Sequence, residues 1–167
     1  DFSLAYPVAR GGGALLAGIG GIVWLGDELS VLGVVAIATV TVGMVLLSIG
    51  AELAQVLTAL VVAAMIGIYT TVDSHAAREV GGNTYVFAVF VSCAVMVSIY
   101  GVAAGKGPSL KRSLPGSWRM YLLTGAVSVV TYGLVMIAVR RAPVGYVAAL
   151  RESSVLVAAF IGWKYLD

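Results

Sequence analysis

The sequence predicts an all-α fold, a polytopic bundle of transmembrane helices, on two observations. The first is composition: 60% of the 167 residues are hydrophobic and 11% are charged, with a mean hydropathy of +1.03. Soluble domains hold about 45–50% apolar and about 25% charged residues, so this chain has too few charges to coat a water-facing surface, which excludes a water-soluble enzyme. The second is the length of the uncharged apolar runs. They cover 11–26, 29–51, 53–72, 80–105, 120–139 and 142–163, the last interrupted only by Arg151 and Glu152. At about 1.5 Å per residue each can cross roughly 30 Å of hydrocarbon, the first provided that it begins near Pro7. The runs far exceed the roughly ten alternating residues of a barrel strand, and backbone polar groups in hydrocarbon must be satisfied within the span, so helices are expected.

Taken in order, residues 1–6 read as the tail of an earlier helix that ends before Pro7, because the residue preceding a proline is pushed out of helical geometry. Six spans follow. The connections between them carry turn or charge signals: Gly26-Asp27-Glu28, Gly50-Ala51-Glu52, Ser74 to Asn83, Lys106 to Arg119, and Arg140 to Pro143. Gly13, Ala17 and Gly21 on the first span, and Ala63 and Gly67 on the third, recur every four residues and read as places where helix backbones approach closely. Trp24, Trp118 and Trp163 lie near span ends, as an aromatic belt requires, while Cys93, Met65, Met96, Met120 and Met136 read as bundle filler. Alternate loops hold Arg78, Arg140 and Arg141 on one side and Lys106, Lys111, Arg112 and Arg119 on the other, which leaves the orientation open. A chain that starts at Asp1 and stops at Asp167 directly after an apolar run reads as a fragment of a longer protein.

Charge and composition exclude several partners. The formal net charge is +2 and the cations are scattered, so nucleic acid has no electrostatic footprint. With one cysteine and one histidine, His75, there is neither an internal disulfide nor a Cys/His zinc site, and no cofactor is expected. His75 stands beside a loop and reads as solvated. The triplet Gly11-Gly12-Gly13 follows no strand and lacks a lysine partner, so it is no phosphate loop. It reads as close packing, with a locally unwound helix start facing a substrate as the alternative.

An internal echo sharpens the reading. Pro-Val-Ala-Arg-Gly, an apolar helix of small residues and Trp-Leu-Gly-Asp run from Pro7 to Asp27. Pro-Val, Ala-Leu-Arg-Glu, a second apolar helix and Lys-Tyr-Leu-Asp run from Pro143 to Asp167. Arg10 and Arg151 are 141 positions apart, and Asp27 and Asp167 are 140 apart. Either two short apolar helices with an arginine each match by accident, or the chain holds a duplicated unit. The second helix is the fifth crossing after the first, so the copies run in opposite directions, as in secondary transporters with inverted repeats.

At these residues the chain resembles the EamA-type branch of the drug/metabolite transporter superfamily. The matching pieces are Tyr6-Pro7-Val8-Ala9-Arg10-Gly11, Leu25-Gly26-Asp27-Glu28-Leu29-Ser30, Tyr69-Thr70-Thr71-Val72-Asp73, and Ala142-Pro143-Val144 followed by Ala149-Leu150-Arg151-Glu152-Ser153-Ser154-Val155. The resemblance implies part of a ten-helix bundle of two inverted five-helix repeats around a central solute cavity. On that plan residues 1–50 are the end of the first repeat (the tail of helix three, helices four and five), and 51–167 are helices six to nine of the second. Two positions depart from the family pattern. Gly12-Gly13-Ala14 stand where a proline is common, and Asp27 replaces the usual closing glutamate.

Six residues are candidates for binding a solute. Arg151 and Glu152 lie within their span, where a charge costs on the order of 2.5–3.5 kcal/mol on insertion scales and must face a cavity or a partner. Arg151 reads as binding an anionic group such as a carboxylate. Glu152 reads first as half of a structural ion pair, and second as fixing the arginine or sensing a proton. Adjacent residues point about 100° apart on a helix, so separate partners are expected. Arg10, one turn inside its helix, either snorkels to the interface or flanks a cavity with its echo Arg151. On the third span Gln55, Val62, Tyr69 and Asp73 share a stripe. Asp73 reads as an interfacial acid or a cap for the Ser74-His75 turn, or as a cation or proton site in a cavity beside Tyr69. Tyr132 stands beside a stripe of Tyr121, Thr124, Ser128 and Thr131, whose hydroxyls are expected to bond a neighbouring helix.

The resulting expectation is a multi-pass protein of a bacterial inner (plasma) membrane that moves small metabolites or amino-acid-like solutes by alternating access. Outward direction is what the family resemblance implies. Proton coupling through Asp73 or Glu152 and uncoupled facilitation both fit. The expected partners are a small-molecule solute and the lipid bilayer, with no nucleic acid, and a homodimer is compatible. The alternatives are a sugar-phosphate-type exchanger or importer, in which Arg10 and Arg151 hold a phosphate, and a non-transporting membrane subunit. An intramembrane enzyme has no metal cluster or Cys/His pair to work with.

Overall fold

The computed structural model describes residues 2–50 and 52–165, without the side chains of 2–7, 44–45, 47–48, 110–111, 113–114 and 155–165. Lys111, Trp163 and Asp167, to which the sequence assigned places in a loop, an aromatic belt and the echo, therefore lie outside the described side chains. The described residues form helices and turns only: α1 (Phe2–Leu25), α2 (Val31–Ser48), α3 (Leu53–Val80), α4 (Gly82–Ala103), α5 (Gly107–Val139) and α6 (Val144–Tyr165). Four stretches are long and apolar enough to cross a membrane, Val8–Leu25, Leu53–Val80, Gly82–Ala103 and Pro115–Val139. Of the six expected spans, the second is represented among the described residues by the shorter apolar stretch Val31–Gly43, and the last runs into side chains that are not described.

Three expected breaks are helical instead. Pro7 does not start a helix: α1 runs from Phe2 through it, since a proline this near a helix start forfeits a single backbone bond. Residues 74–80 continue α3, because nothing in Ser74-His75-Ala76-Ala77-Arg78 breaks a helix before Gly81, whose φ of 90° ends it. The stretch from Lys106 to Arg119 is a turn at Gly105 and Lys106 followed by the first turns of α5, with Pro108 in the first turn, where it lacks no needed N–H, and Pro115 inside the helix. Gly11, Gly12 and Gly13 sit buried in the middle of α1, so the locally unwound start is overturned in favour of close packing.

The chain divides into two compact units, Asp1–His75 with Arg141–Asp167, and Ala76–Arg140. In the first, α1 is the central element. Gly13 meets Ile66 and the Ala63 carbonyl of α3, Gly67 of α3 meets Leu16 and the Ala17 backbone, and Ala17 and Ala63 are each 1% exposed. On another face α1 crosses α6 at Gly18, where an added methyl group would lie 3.4 Å from the Gly145 Cα and 3.2 Å from Ile37 Cδ1 of α2. Gly33 of α2 lies directly under the Tyr146 ring of α6. Contacts between Gly18 and Gly145, Asp27 and Val144, and Arg10 and Glu152 rise along α6 as they fall along α1, so the two helices are antiparallel.

In the second unit α4 packs on α5, with Gly82 against Met136 and Arg140 and with Phe90 edge-on to Tyr132 at 5.9 Å. Arg78 Nε donates to the Val139 carbonyl at 2.9 Å, satisfying an acceptor that the end of α5 leaves open. Met136 is buried, but Met65, Met96 and Met120 are 66%, 72% and 71% exposed and Cys93 is exposed as well, so these four are not bundle filler. In the hydroxyl stripe, Ser128 Oγ donates to the Thr124 carbonyl of its own helix at 2.8 Å rather than to a neighbouring helix. Thr39, Thr41, Thr58, Thr71 and Ser74 do the same one turn back, which satisfies a hydroxyl with no neighbour at all.

Overpacking the α1–α6 crossing should be costly. Gly18→Leu is expected to destabilise the full-length protein in detergent by about 1–3 kcal/mol. Gly43→Ala, with nothing within 4 Å, should leave the thermal midpoint unchanged or slightly higher.

Candidate functional site

Three polar links fasten α6 within the first unit. At its start, where helix amides have no internal acceptor, Asp27 Oδ2 of the α1–α2 connection accepts from the Val144 N–H at 2.7 Å. The Asp27 amide itself donates back to the Gly21 carbonyl at 2.9 Å, which sets the acid beside α1. Next, Tyr146 Oη donates to Ser30 Oγ at 2.8 Å and accepts from the Ser30 amide at 2.6 Å. Ser30 is also the N-cap of α2, its hydroxyl accepting from the Gly33 amide at 3.3 Å.

Two turns further along α6 lie the charged residues. Glu152 reaches across to α1: Arg10 Nε donates to Oε2 at 3.1 Å, and Arg10 Nη2 stands 3.1 Å from Oε1 in an ionic contact that lacks hydrogen-bond alignment. Arg10 and Glu152 side chains are 25% and 12% exposed. Because α1 begins at Phe2, Arg10 lies about two turns inside its helix rather than one, and it turns to α6 rather than out along the helix. Arg151 Nε is 3.9 Å from Glu152 Oε1, and Nε is buried with no hydrogen-bond acceptor among the described residues. The directed partner of Glu152 is Arg10 on the other helix rather than its neighbour Arg151, which approaches the same carboxylate only at 3.9 Å.

Tyr69 is 44% exposed, with Asp73 one turn on and half-buried. Since α3 continues to Val80, Asp73 lies about two turns from the helix end and Ser74-His75 is not a turn. His75 lies within α3 rather than beside a loop, exposed and stacked on Trp24, ring centroids 6.2 Å apart and 20° from parallel. Tyr132 belongs to the second unit, in its edge contact with Phe90. Among the described residues no group of three His, Cys, Asp or Glu side chains could hold a metal ion.

Sequence reasoning missed Asp27, Ser30 and Tyr146 as fasteners of α6. Asp27 stood out as the closing acid of the echo, but its partner is 117 positions away and no local pattern announces it.

An apolar cleft of about 410 Å³ also opens between α1 and α3, lined by residues such as Leu16, Val23, Trp24, Ile68 and Thr71. The Thr71 hydroxyl is satisfied by the Gly67 carbonyl, which leaves the cleft wall nearly without polar groups.

Removing the acid deprives both facing guanidiniums of its carboxylate. Glu152→Ala should lower stability by roughly 3 kcal/mol, and the double change Arg10→Met with Glu152→Met by clearly less. Asp27→Ala should cost about 1 kcal/mol through loss of the α6 cap. Thermal unfolding of the purified full-length protein reads all three.

The comparison with known families now bears on this geometry. No curated protein and no solved structure matches the chain. The model of the EamA-like transporter family matches residues 53–167, which include α3 to α6 and with them Arg151 and Glu152. That match covers more than half of the chain: this multi-pass membrane protein belongs to the EamA-like transporter family, whose members are transporters.

Proposed function

We propose that the protein is part of a secondary transporter that moves small metabolites or amino-acid-like solutes outward across a bacterial inner membrane by alternating access. The observation that carries this reading is the Arg10–Glu152–Arg151 cluster. Three charged side chains inside an otherwise apolar helix pair have an insertion cost that packing alone does not require, and intramembrane ionisable groups mark solute pathways. Residues 1–50 and 51–167 are then the end of one five-helix repeat and most of a second, inverted one. The antiparallel pairing of α1 with α6, which carry the two echoed arginines, supports that arrangement.

Within this reading Arg151 faces the solute and Glu152 is held by Arg10. Coupling to protons through Asp73 or Glu152 and uncoupled facilitation are both compatible with this reading. Tyr69, one turn from Asp73, is a second solute contact in the same unit, and Tyr132 is a candidate in the other.

The test is solute counterflow into liposomes holding the full-length protein, with a panel of amino acids, phosphorylated sugars and cationic drugs. Saturable uptake of a panel member is expected, falling at least tenfold in a folded Arg151→Ala variant. Competition by phosphorylated sugars but not amino acids would replace the exporter with a sugar-phosphate-type exchanger. Absence of any counterflow, together with loss of a co-purifying protein in Arg151→Ala, would replace it with a non-transporting subunit.

A further inference from the structure

The ion pair between α1 and α6 leaves an unequal pair of arginines. Both Glu152 oxygens lie 3.1 Å from Arg10 nitrogens, one by a directed hydrogen bond. Arg151 receives only a 3.9 Å approach to Oε1, beyond hydrogen-bond reach. Its Nε is shut off from solvent and donates to nothing among the described residues, and Oε1 accepts no aligned bond either. A charged donor withdrawn from water and left unbonded is costly, and the usual resolution is an acceptor that arrives from outside the fold. A guanidinium answers such an oxyanion with a planar fork of donors.

We infer that Arg151 is the seat for one oxyanion group, a carboxylate or phosphate, and that Glu152 is a resident competitor for that seat which Arg10 holds back from it. The inference rests on the reading that the cluster faces the solute path, and it adds the chemical class of ligand. With Arg10 present, Glu152 is engaged across the helix interface and Arg151 is open. Without Arg10, the nearest acceptor for Arg151 is Glu152 itself, and the seat is filled from within. Arg10 and Arg151, alike in sequence, thus have opposite assignments: one neutralises the resident carboxylate and the other receives the arriving one.

The experiment uses the full-length protein in nanodiscs of phosphatidylcholine, with benzoate and inorganic phosphate as probes and calorimetric titration as the readout. At least one probe should bind saturably. Arg151→Gln should weaken it at least tenfold, and Arg151→Lys, which keeps the charge but loses the fork, by less. Arg10→Gln should weaken binding although it removes no contact with the probe, while Glu152→Gln, by removing the competing oxyanion, should tighten it severalfold. Repeating the titrations in phosphatidylglycerol discs separates the sources. Probe binding blocked by that lipid in the wild type makes the natural occupant a lipid phosphate, and unblocked binding makes it a free solute.

The seat is overturned if neither probe binds in phosphatidylcholine, if Arg151→Gln binds as the wild type does, or if Glu152→Gln fails to tighten binding. The last arm does not depend on Arg151→Gln folding. Counterflow run beside the titrations keeps the two readings distinct: transport without anion binding removes the seat alone, and anion binding without transport of any panel member removes the transporter reading alone.

Discussion

Hydrocarbon supplies no partner to a guanidinium or a carboxylate, so charged side chains at bilayer depth must be answered from within the protein. The Arg10–Glu152 contact is where this chain meets that constraint, and the arrangement of the first unit follows from it. For the pair to form, α1 and α6 must approach closely and run antiparallel, and Gly18 and Gly145 provide the approach. Asp27 then caps the start of α6 from the far end of α1, about two turns from Glu152, so the helix is held at both ends of its described half. Tyr146 and Ser30 bring α2 into the same arrangement.

Helix association in a membrane lacks the water-exclusion term that drives a soluble core together, and shape and a few polar bonds take its place. The consequence is visible in which residues are buried. The largest side chains tend to be outside, as Trp24, Leu32, Met96 and Tyr100 are, while the buried set is made mostly of alanine, glycine, valine and small hydroxyl residues. Faces of this kind would aggregate in water. Many of the described hydroxyls, which in a soluble protein would bond water, close back on their own helix carbonyls, while Arg10, Asp27, Ser30, Arg78, Tyr146 and Glu152 are among the residues that reach across to another element.

Helix boundaries show where one-dimensional reading loses its grip. Turns were found correctly wherever a glycine at positive φ stands beside charge, as at Gly26 and Gly50. Boundaries were misplaced where polarity was taken for a break. Ser74 to Val80 and Gly107 to Arg119 are polar and helical, because leaving the bilayer changes which side chains are tolerated without ending the backbone's own hydrogen-bond ladder. Pro7 misled in the same way, since a proline disfavours helix locally but costs little near a helix start.

By itself the sequence determined that the chain is helical, apolar and membrane-embedded, that its charges within spans are exceptional, and that Arg10, Arg151 and Glu152 are among them. These properties depend on composition and on runs of neighbours, which are fully present in one dimension. Tertiary structure alone decided that Glu152 belongs to Arg10 rather than to its neighbour Arg151, that Arg151 keeps a buried donor unbonded, and that Asp27 and Tyr146 fasten α6. The physical reason is distance along the chain. These bonds join residues more than a hundred positions apart, and which donor meets which acceptor is set by the crossing of two helices at a pair of glycines.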